Sequence, residues 1–461
     1  MLFSSNLFLF AFLPLVLLMY YLCPRKLRNV VLLAVSLFFY GWGEPVYLLL
    51  MVATILINYV SGLWIHRCRA KEKDPAGALV FAVAANLLIL GYFKYFNFFV
   101  TQLQLLFPAL KNLSVPEIPL PIGISFYIFQ SMSYVIDVYR KDVGVQRNVL
   151  TFGTYVTLFP QLIAGPIVRY RDVEEQMEHR RENLADFSSG ITLFIIGLSK
   201  KVLLANPMGS LWNQLQTQQG TLCAWVGLLA FTLQIYFDFS GYSDMARGLG
   251  RMFGFEFLEN FNYPYISASV TEFWRRWHIS LSTWFREYVY IPLGGNRLGK
   301  GRQILNLLVV WALTGFWHGA SWNYILWGLY YAVLLILEKN FLLKLLKKLP
   351  GFVGHVYTVL AFLLGWALFY FEDTGALAVF LARLFTPGAT SSVGMALVTA
   401  YLPLMAVSCV ASTPLAAKLV SVCKDSRAMG IVRILVLMVL LLLCTAALAS
   451  QSYNPFIYFR F

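Results

Sequence analysis

Charged residues are scarce in this chain of 461 residues: Asp, Glu, Lys and Arg make up 13% of it, and hydrophobic residues make up 59%. Soluble globular proteins carry about a quarter charged residues, so the composition points away from a water-soluble domain. The sequence also lacks the short segments of alternating polarity that are typical of transmembrane β-barrels. Long unbroken apolar runs, such as residues 431–448, take their place. The sequence therefore predicts an all-α, polytopic membrane protein.

The sequence also lacks common motifs for metal sites, nucleotide binding and serine nucleophiles. The six cysteines are scattered without C-x-x-C spacing, which gives no indication of a disulfide framework or a zinc site. There is no G-x-S-x-G nucleophile elbow, no H-E-x-x-H and no dinucleotide fingerprint. Residues 294–300 match G-x-x-x-x-G-K, but Gly301 stands where a Ser or Thr would hold magnesium. We therefore expect no metal site, no permanently bound cofactor and no internal serine nucleophile.

The net charge of +14 is explained by where the basic residues lie. Apolar segments predict about eleven to twelve transmembrane helices. If the N-terminus is outside, alternate connections face the cytoplasm, and these hold 30 of the 36 Lys and Arg residues. This asymmetry follows the positive-inside rule. It predicts contact with anionic membrane lipids, and it gives no reason to expect a nucleic-acid partner.

The chain reads as a single membrane-embedded domain over residues 1–461, without internal repeats. Its two largest cytoplasmic-side connections lie near residues 140–189 and 244–302. Residues 154–168 within the first are apolar but broken by Pro and Gly, with basic residues on both sides. This segment cannot cross the membrane and return as two spans, so we expect a re-entrant element that lines a cavity.

A short membrane hairpin carries one histidine. Between Arg302 and Glu338 lie 35 residues, and His318 is the only Asp, Glu, Lys, Arg or His among them. Two full spans need about 40 residues plus a turn, so the hairpin tip and His318 are expected below the outer surface. At about 1.5 Å per helical residue, His318 lies roughly 24 Å from Arg302. A buried neutral imidazole can act as a general base, whereas an interfacial histidine held by a neighbouring helix is the structural alternative.

Residues 269–290 have the pattern of an amphipathic helix. Ser269 and Glu272 form a capping-box signature at its start, and Pro292 follows its end. His278 falls on the apolar side, where it can point into the helical bundle. The polar side carries Arg275, Arg276 and Arg286, which suit either the phosphates of a cofactor or lipid headgroups.

Two acidic residues, Asp238 and Asp244, mark the end of another apolar segment. Helical spacing favours structural ion pairs with Arg247 or Arg251 over a catalytic role.

Together these motifs resemble the membrane-bound O-acyltransferase family, in its bacterial branch for alginate O-acetylation. The resemblance covers the chain from about residue 120 to the C-terminus. It rests on QLIAGP (161–166), DFSGYSD (238–244), FWRRWHISL (273–281), YIPLGGNR (290–297), FWHGASWN (316–323) and NPFIYF (454–459).

The resemblance implies a site built around two histidines. His318 is expected to be catalytic and His278 to be the second member of the site. The candidate residues for binding a donor cofactor, chosen for their guanidinium groups, are Arg275, Arg276 and Arg286. The substrate channel is expected to involve Trp274, Trp277, Trp317, Asn323, Gly165 and Pro166.

The resemblance also implies the reaction and its setting. We expect a multi-pass protein of the bacterial inner membrane that takes an acyl group from acetyl-CoA or an acyl carrier. The acetyl group then passes to an exported polysaccharide with help from a periplasmic esterase-type acetyltransferase. Two alternatives are D-alanyl transfer to teichoic acid from a carrier protein and a non-catalytic glycan or lipid channel.

Overall fold

The computed structural model describes residues 1–111, 114–162, 165–422, 426–450 and 456, and no β-strand occurs among them. The predicted all-α fold is confirmed. The α-helices are α1 Leu13–Leu22, α2 Arg28–Gly43, α3 Leu48–Ala70, α4 Ala76–Leu90, α5 Phe96–Leu106, α6 Ile124–Arg140, α7 Val149–Thr157, α8 Phe159–Leu162, α9 Tyr170–Glu178, α10 Leu184–Ser199, α11 Asn206–Leu215, α12 Thr221–Met252, α13 Val270–Arg276, α14 Ile279–Phe285, α15 Lys300–His318, α16 Trp322–Leu337, α17 Leu343–Leu346, α18 Gly351–Tyr370, α19 Thr374–Phe385, α20 Ser392–Ala411, α21 Leu415–Val422 and α22 Arg427–Ser450.

Short π-helical and 3₁₀ segments connect several of these helices. The π-helical segments are Phe8–Phe12, Gly91–Tyr95, Lys200–Ala205, Arg286–Tyr290 and Glu338–Leu342, and the 3₁₀ turns are Arg25–Leu27, Pro108–Leu110 and Pro264–Ile266.

Within the described residues, seven helical stretches are long and apolar enough to cross a membrane, which confirms a polytopic membrane protein. They are Leu48–Ala70, Ala76–Leu106, Leu184–Leu215, Thr221–Met252, Gly351–Tyr370, Ser392–Ala411 and Arg427–Ser450. Shorter apolar helices, such as Phe8–Leu22 and Thr374–Phe385, accompany them.

The chain forms two compact units. The first contains Met1–Phe194 and Met245–Leu258, and the second contains Ile195–Asp244 and Glu259–Phe461. The single acyltransferase domain over residues 1–461 stays a prediction.

The first unit contains the segment predicted to be re-entrant. It folds into the short helices α7 and α8, which break at Leu158. The described residues of this segment are all buried. Elsewhere in the unit, Asn58 of α3 and Asn86 of α4 exchange two side-chain hydrogen bonds, of 3.1 and 2.8 Å. The apolar helices of this unit therefore enclose polar groups that satisfy one another.

The second unit contains two ion pairs, one buried and one partly exposed, between α12 and the π-helical segment before α11. Lys201 Nζ lies 2.5 Å from an oxygen of Asp238, and both side chains are at most 4% exposed. Lys200 Nζ lies 2.6 Å from Asp244 Oδ2. Asp238 and Asp244 therefore form ion pairs, but these partners are lysines of the π-helical segment Lys200–Ala205 and differ from the expected Arg247 and Arg251. Helical spacing within α12 could not indicate such partners, because the pairs join groups far apart in sequence.

The Lys201–Asp238 pair generates a stability prediction. Lys201→Met leaves the Asp238 carboxylate buried without its cation, and removing one partner of a buried ion pair costs about 3–5 kcal/mol. The double variant K201M/D238L removes both charges, so we expect it to unfold at a higher temperature than Lys201→Met. Thermal unfolding of the purified proteins in detergent measures this order. If the double variant unfolds at a lower temperature than Lys201→Met, the loss of stability in Lys201→Met cannot be attributed to the unpaired carboxylate of Asp238.

Candidate active site

The hairpin predicted from the sequence consists of α15 and α16, joined by residues 319–321. The two helices cross closely at glycines. A Cβ atom on Gly315 would lie 2.1 Å from the carbonyl oxygen of Tyr324, and one on Gly328 would lie 2.2 Å from that of Trp311. Only hydrogen fits at these positions, so the glycines set the distance between the helices. His318 is the last residue of α15 and therefore lies at the turn of the hairpin.

His318 is buried among aromatic rings, with 4% of its surface exposed. Its ring centroid lies 5.0 Å from those of Trp317 and Trp327 and 5.4 Å from that of Phe369, and all three contacts are edge-to-face. This surrounding excludes bulk water from the imidazole. The position at the hairpin turn agrees with the prediction, and its depth in a bilayer stays a prediction.

His278 lies at a break in the segment predicted to be one amphipathic helix. That part of the prediction was wrong: α13 ends at Arg276, α14 begins at Ile279, and His278 between them has a left-handed backbone with φ 45°. The predicted apolar side of this segment is nevertheless buried. The side chains of Trp274, Trp277 and His278 are buried. The imidazole therefore points inward, while Arg275 stays exposed.

Asn260 fixes the orientation of the His278 ring. Its side-chain oxygen accepts hydrogen bonds from the backbone N–H and the hydroxyl of Ser280, at 3.1 and 3.0 Å. The same oxygen lies 3.3 Å from His278 Nδ1, which assigns the ring proton to Nδ1 and leaves Nε2 as an acceptor. Burial lowers the pKa of His278 to about 3. His278 is thus a neutral hydrogen-bond acceptor at physiological pH.

Trp317 brings the two histidines into one site. Its ring centroid lies 6.0 Å from that of His278 and 5.0 Å from that of His318. Both imidazoles therefore border the same indole ring, although 39 residues separate them in the sequence.

Glu338, at the far end of the hairpin, holds the segment that carries His278. Its buried carboxylate accepts hydrogen bonds from the backbone N–H groups of Val270 and Thr271, at 2.6 and 2.8 Å. These are free donors at the N-terminus of α13, where a carboxylate is favourable. Ser269 adds its own cap by accepting the N–H of Glu272 at 3.1 Å, as the capping signature predicted. The α13 helix is thereby attached to the hairpin.

The three arginines predicted to bind a cofactor differ in their contacts. Arg275 is exposed. Arg276 forms an ion pair with Glu272 at 2.9 Å, and Arg286 lies 3.3 Å from Glu287. Only Arg275 presents its guanidinium without a carboxylate partner among the described residues, so it is the best placed of the three to meet an incoming phosphate.

The predicted channel residues are divided between the two units. In the second unit, Trp274 packs against Trp327 at 5.5 Å and Trp277 packs against Trp366 at 4.8 Å. Asn323 donates a hydrogen bond of 2.9 Å to the carbonyl of Phe369, a neighbour of His318. Gly165 and Pro166 belong to the first unit, where both are buried. The C-terminal motif at 454–459 lies outside the described residues except for Phe456, which packs on Phe239 at 5.6 Å.

Four residues with a clear place in this site were missed by sequence reasoning: Asn260, Glu338, Trp327 and Phe369. In the sequence analysis Glu338 only marked the end of the hairpin. A carboxylate at the end of an apolar run could have indicated a buried hydrogen-bond acceptor. The other three belong to ordinary-looking stretches, and their contacts depend on tertiary packing.

The glycine crossing generates a second stability prediction. Gly315→Ala or Gly328→Ala places a methyl group against a carbonyl oxygen, and such overpacking costs about 1–3 kcal/mol. Gly301→Ala at the start of the same helix meets nothing within 4 Å, so we expect it to be neutral or slightly stabilising. Unfolding temperatures of the purified variants give the comparison. Equal temperatures for all three would contradict the close crossing.

Comparison with known proteins supports the resemblance to the membrane-bound O-acyltransferase family over most of the chain. Residues 140–348 match the model of the membrane-bound O-acyltransferase family. The chain is 41% identical to a probable alginate O-acetylase of Pseudomonas putida, with all of both chains covered. It is 45% identical to a probable alginate O-acetylase of Azotobacter vinelandii over 84% of this chain and 79% of the relative. A peptidoglycan O-acetyltransferase of Helicobacter pylori is 35% identical over 74% of this chain and 71% of the relative. The chain belongs to the membrane-bound O-acyltransferase family.

Proposed function

We propose that this O-acyltransferase moves acetyl groups from acetyl-CoA on the cytoplasmic side of the inner membrane to the outside, for O-acetylation of an exported polysaccharide such as alginate. The observation that carries the proposal is the pair of buried histidines that border Trp317. The names of the relatives, probable alginate O-acetylase and peptidoglycan O-acetyltransferase, support acetyl as the acyl group.

In the proposed mechanism His318 is the general base. Its imidazole takes the proton of an acceptor hydroxyl while the hydroxyl oxygen attacks the thioester carbon. The tetrahedral intermediate collapses, the carbon–sulfur bond breaks, and the thiolate takes the proton back from the imidazolium. The aromatic rings around His318 keep bulk water away and thereby limit hydrolysis of the thioester.

His278 has a positioning role in this proposal. With its ring proton on Nδ1, directed to Asn260, its Nε2 can accept a hydrogen bond from an N–H or O–H of the bound substrate. The base is assigned to His318, which lies at the turn of the hairpin.

The donor is proposed to enter from the side of the arginines. The helical stretch from Arg302 to His318 is roughly 24 Å long, a distance that the extended arm of acetyl-CoA can span while its phosphates stay near the surface. Arg275 is the exposed cation best placed for those phosphates. On the outside, a periplasmic esterase-type acetyltransferase is the proposed partner that completes transfer to the polysaccharide. This arrangement requires the N-terminus to be outside.

His318→Ala tests the proposed base. Loss of a general base lowers rates by about 10²–10⁴-fold, so acetylation of the polysaccharide should fall to background in cells that carry this variant. His355→Ala removes an exposed imidazole from the same unit and should leave acetylation unchanged. Ester content of the polysaccharide, at equal amounts of membrane protein, is the readout. Full acetylation with His318→Ala would contradict the mechanism and favour a non-catalytic channel.

Arg275→Gln tests the donor site. We expect its KM for acetyl-CoA to rise several-fold with kcat nearly unchanged, because a phosphate contact remote from the reacting carbon contributes to uniform binding. Arg297→Gln, which removes another exposed arginine from the same connection, is the matched control. Assays with labelled acetyl-CoA and with a D-alanyl carrier protein identify the acyl group. Transfer of D-alanine in place of acetate would overturn the choice of donor.

A further inference from the structure

A basic cavity lies in the first unit, where α3 and α6 end. Its volume is about 320 Å³. The lining residues are His66, Arg69, Val138, Lys141, Val143, Gly144, Val145 and Arg147, so four of the eight carry basic side chains and none is acidic.

Two of the basic groups are held in place by the protein. Arg69 donates from Nη1 to the carbonyl of Val138 at 2.7 Å and from Nη2 to the carbonyl of Tyr139, in the last turn of α6. Arg147 Nη2 lies 3.4 Å from His66 Nε2. Two basic side chains are therefore in contact, without a carboxylate between them.

None of the four basic residues forms an ion pair with a carboxylate within the described part of the chain. Other arginines of the same unit do: Arg28 pairs with Glu182 at 2.6 Å, and Arg169 pairs with Asp172 at 2.8 Å. A carboxylate is near the cavity, because Glu174 accepts the backbone N–H of Gly144 at 3.0 Å, but it is not a lining residue. The cavity thus keeps an excess of positive charge.

The position of the cavity indicates what could balance this charge. The α3 helix is one of the helices long enough to span a membrane, and His66 and Arg69 lie in its last turns. The end of such a helix reaches the headgroup layer, where phosphate is the common anion. Guanidinium forks suit phosphate oxygens well.

We propose that this cavity binds a phosphate group. Its source is either the headgroup of an anionic phospholipid or a soluble phosphate compound, since both offer the same oxygens to the same cations. The proposal concerns the first unit and does not depend on the acetyl-transfer mechanism.

The test compares unfolding temperatures of the full-length protein, purified in detergent, with different additions. Phosphatidylglycerol is compared with phosphatidylcholine, and inorganic phosphate is compared with chloride at equal ionic strength. Ligand at 100 times its Kd raises the unfolding temperature of a protein of this size by about 3 °C. We expect this rise in the wild type and its loss in K141Q/R147Q. The control K71Q/K73Q removes two exposed lysines nearby and should keep the rise.

Each outcome bears on the proposal. Protection by phosphatidylglycerol alone assigns the cavity to a lipid headgroup, and protection by inorganic phosphate assigns it to a soluble compound. No protection of the wild type by either probe overturns the proposal, as does equal protection of K141Q/R147Q. Equal loss in K71Q/K73Q would also overturn it, because net charge would then explain the effect. If K141Q/R147Q does not fold, Arg147→Gln serves in the same comparison.

Discussion

The close crossing of α15 and α16 is the constraint on which the candidate site depends. Gly315 and Gly328 bring two apolar helices into backbone contact, and a turn of three residues then leaves His318 buried at the joint. At the other end of the hairpin, the Glu338 carboxylate accepts two N–H groups of α13. The segment that carries His278 is thereby fixed to the hairpin that carries His318, and Trp317 lies against both imidazoles.

Several polar groups of this protein are buried in apolar surroundings. An unpaired charge or amide costs several kcal/mol where no water reaches it, so such groups occur in pairs. Lys201 with Asp238 and Asn58 with Asn86 are of this kind. The imidazole of His318 is buried among the aromatic rings of Trp317, Trp327 and Phe369. These rings keep bulk water away from the imidazole.

The all-α membrane fold and the hairpin with His318 could be predicted from the sequence, because helix length, hydrophobicity and the short hairpin are all local properties. The inward direction of His278 followed from the same periodicity. The break at His278 could not be predicted in this way, since it involves a tertiary backbone contact, in which the N–H of Ile279 donates to the carbonyl of Asn260 at 3.0 Å. The partners of Asp238 and Asp244, and the contacts of Glu338, likewise join residues distant in the chain.

His278 and His318 are proposed to act as one site around Trp317. Groups that act together in one step are strongly non-additive when removed. The most direct test measures kcat/KM for acetyl transfer in proteoliposomes with His278→Ala, His318→Ala and the double variant. The double variant is predicted to be no slower than His318→Ala alone. A loss in the double variant equal to the product of the two single losses would contradict a shared site.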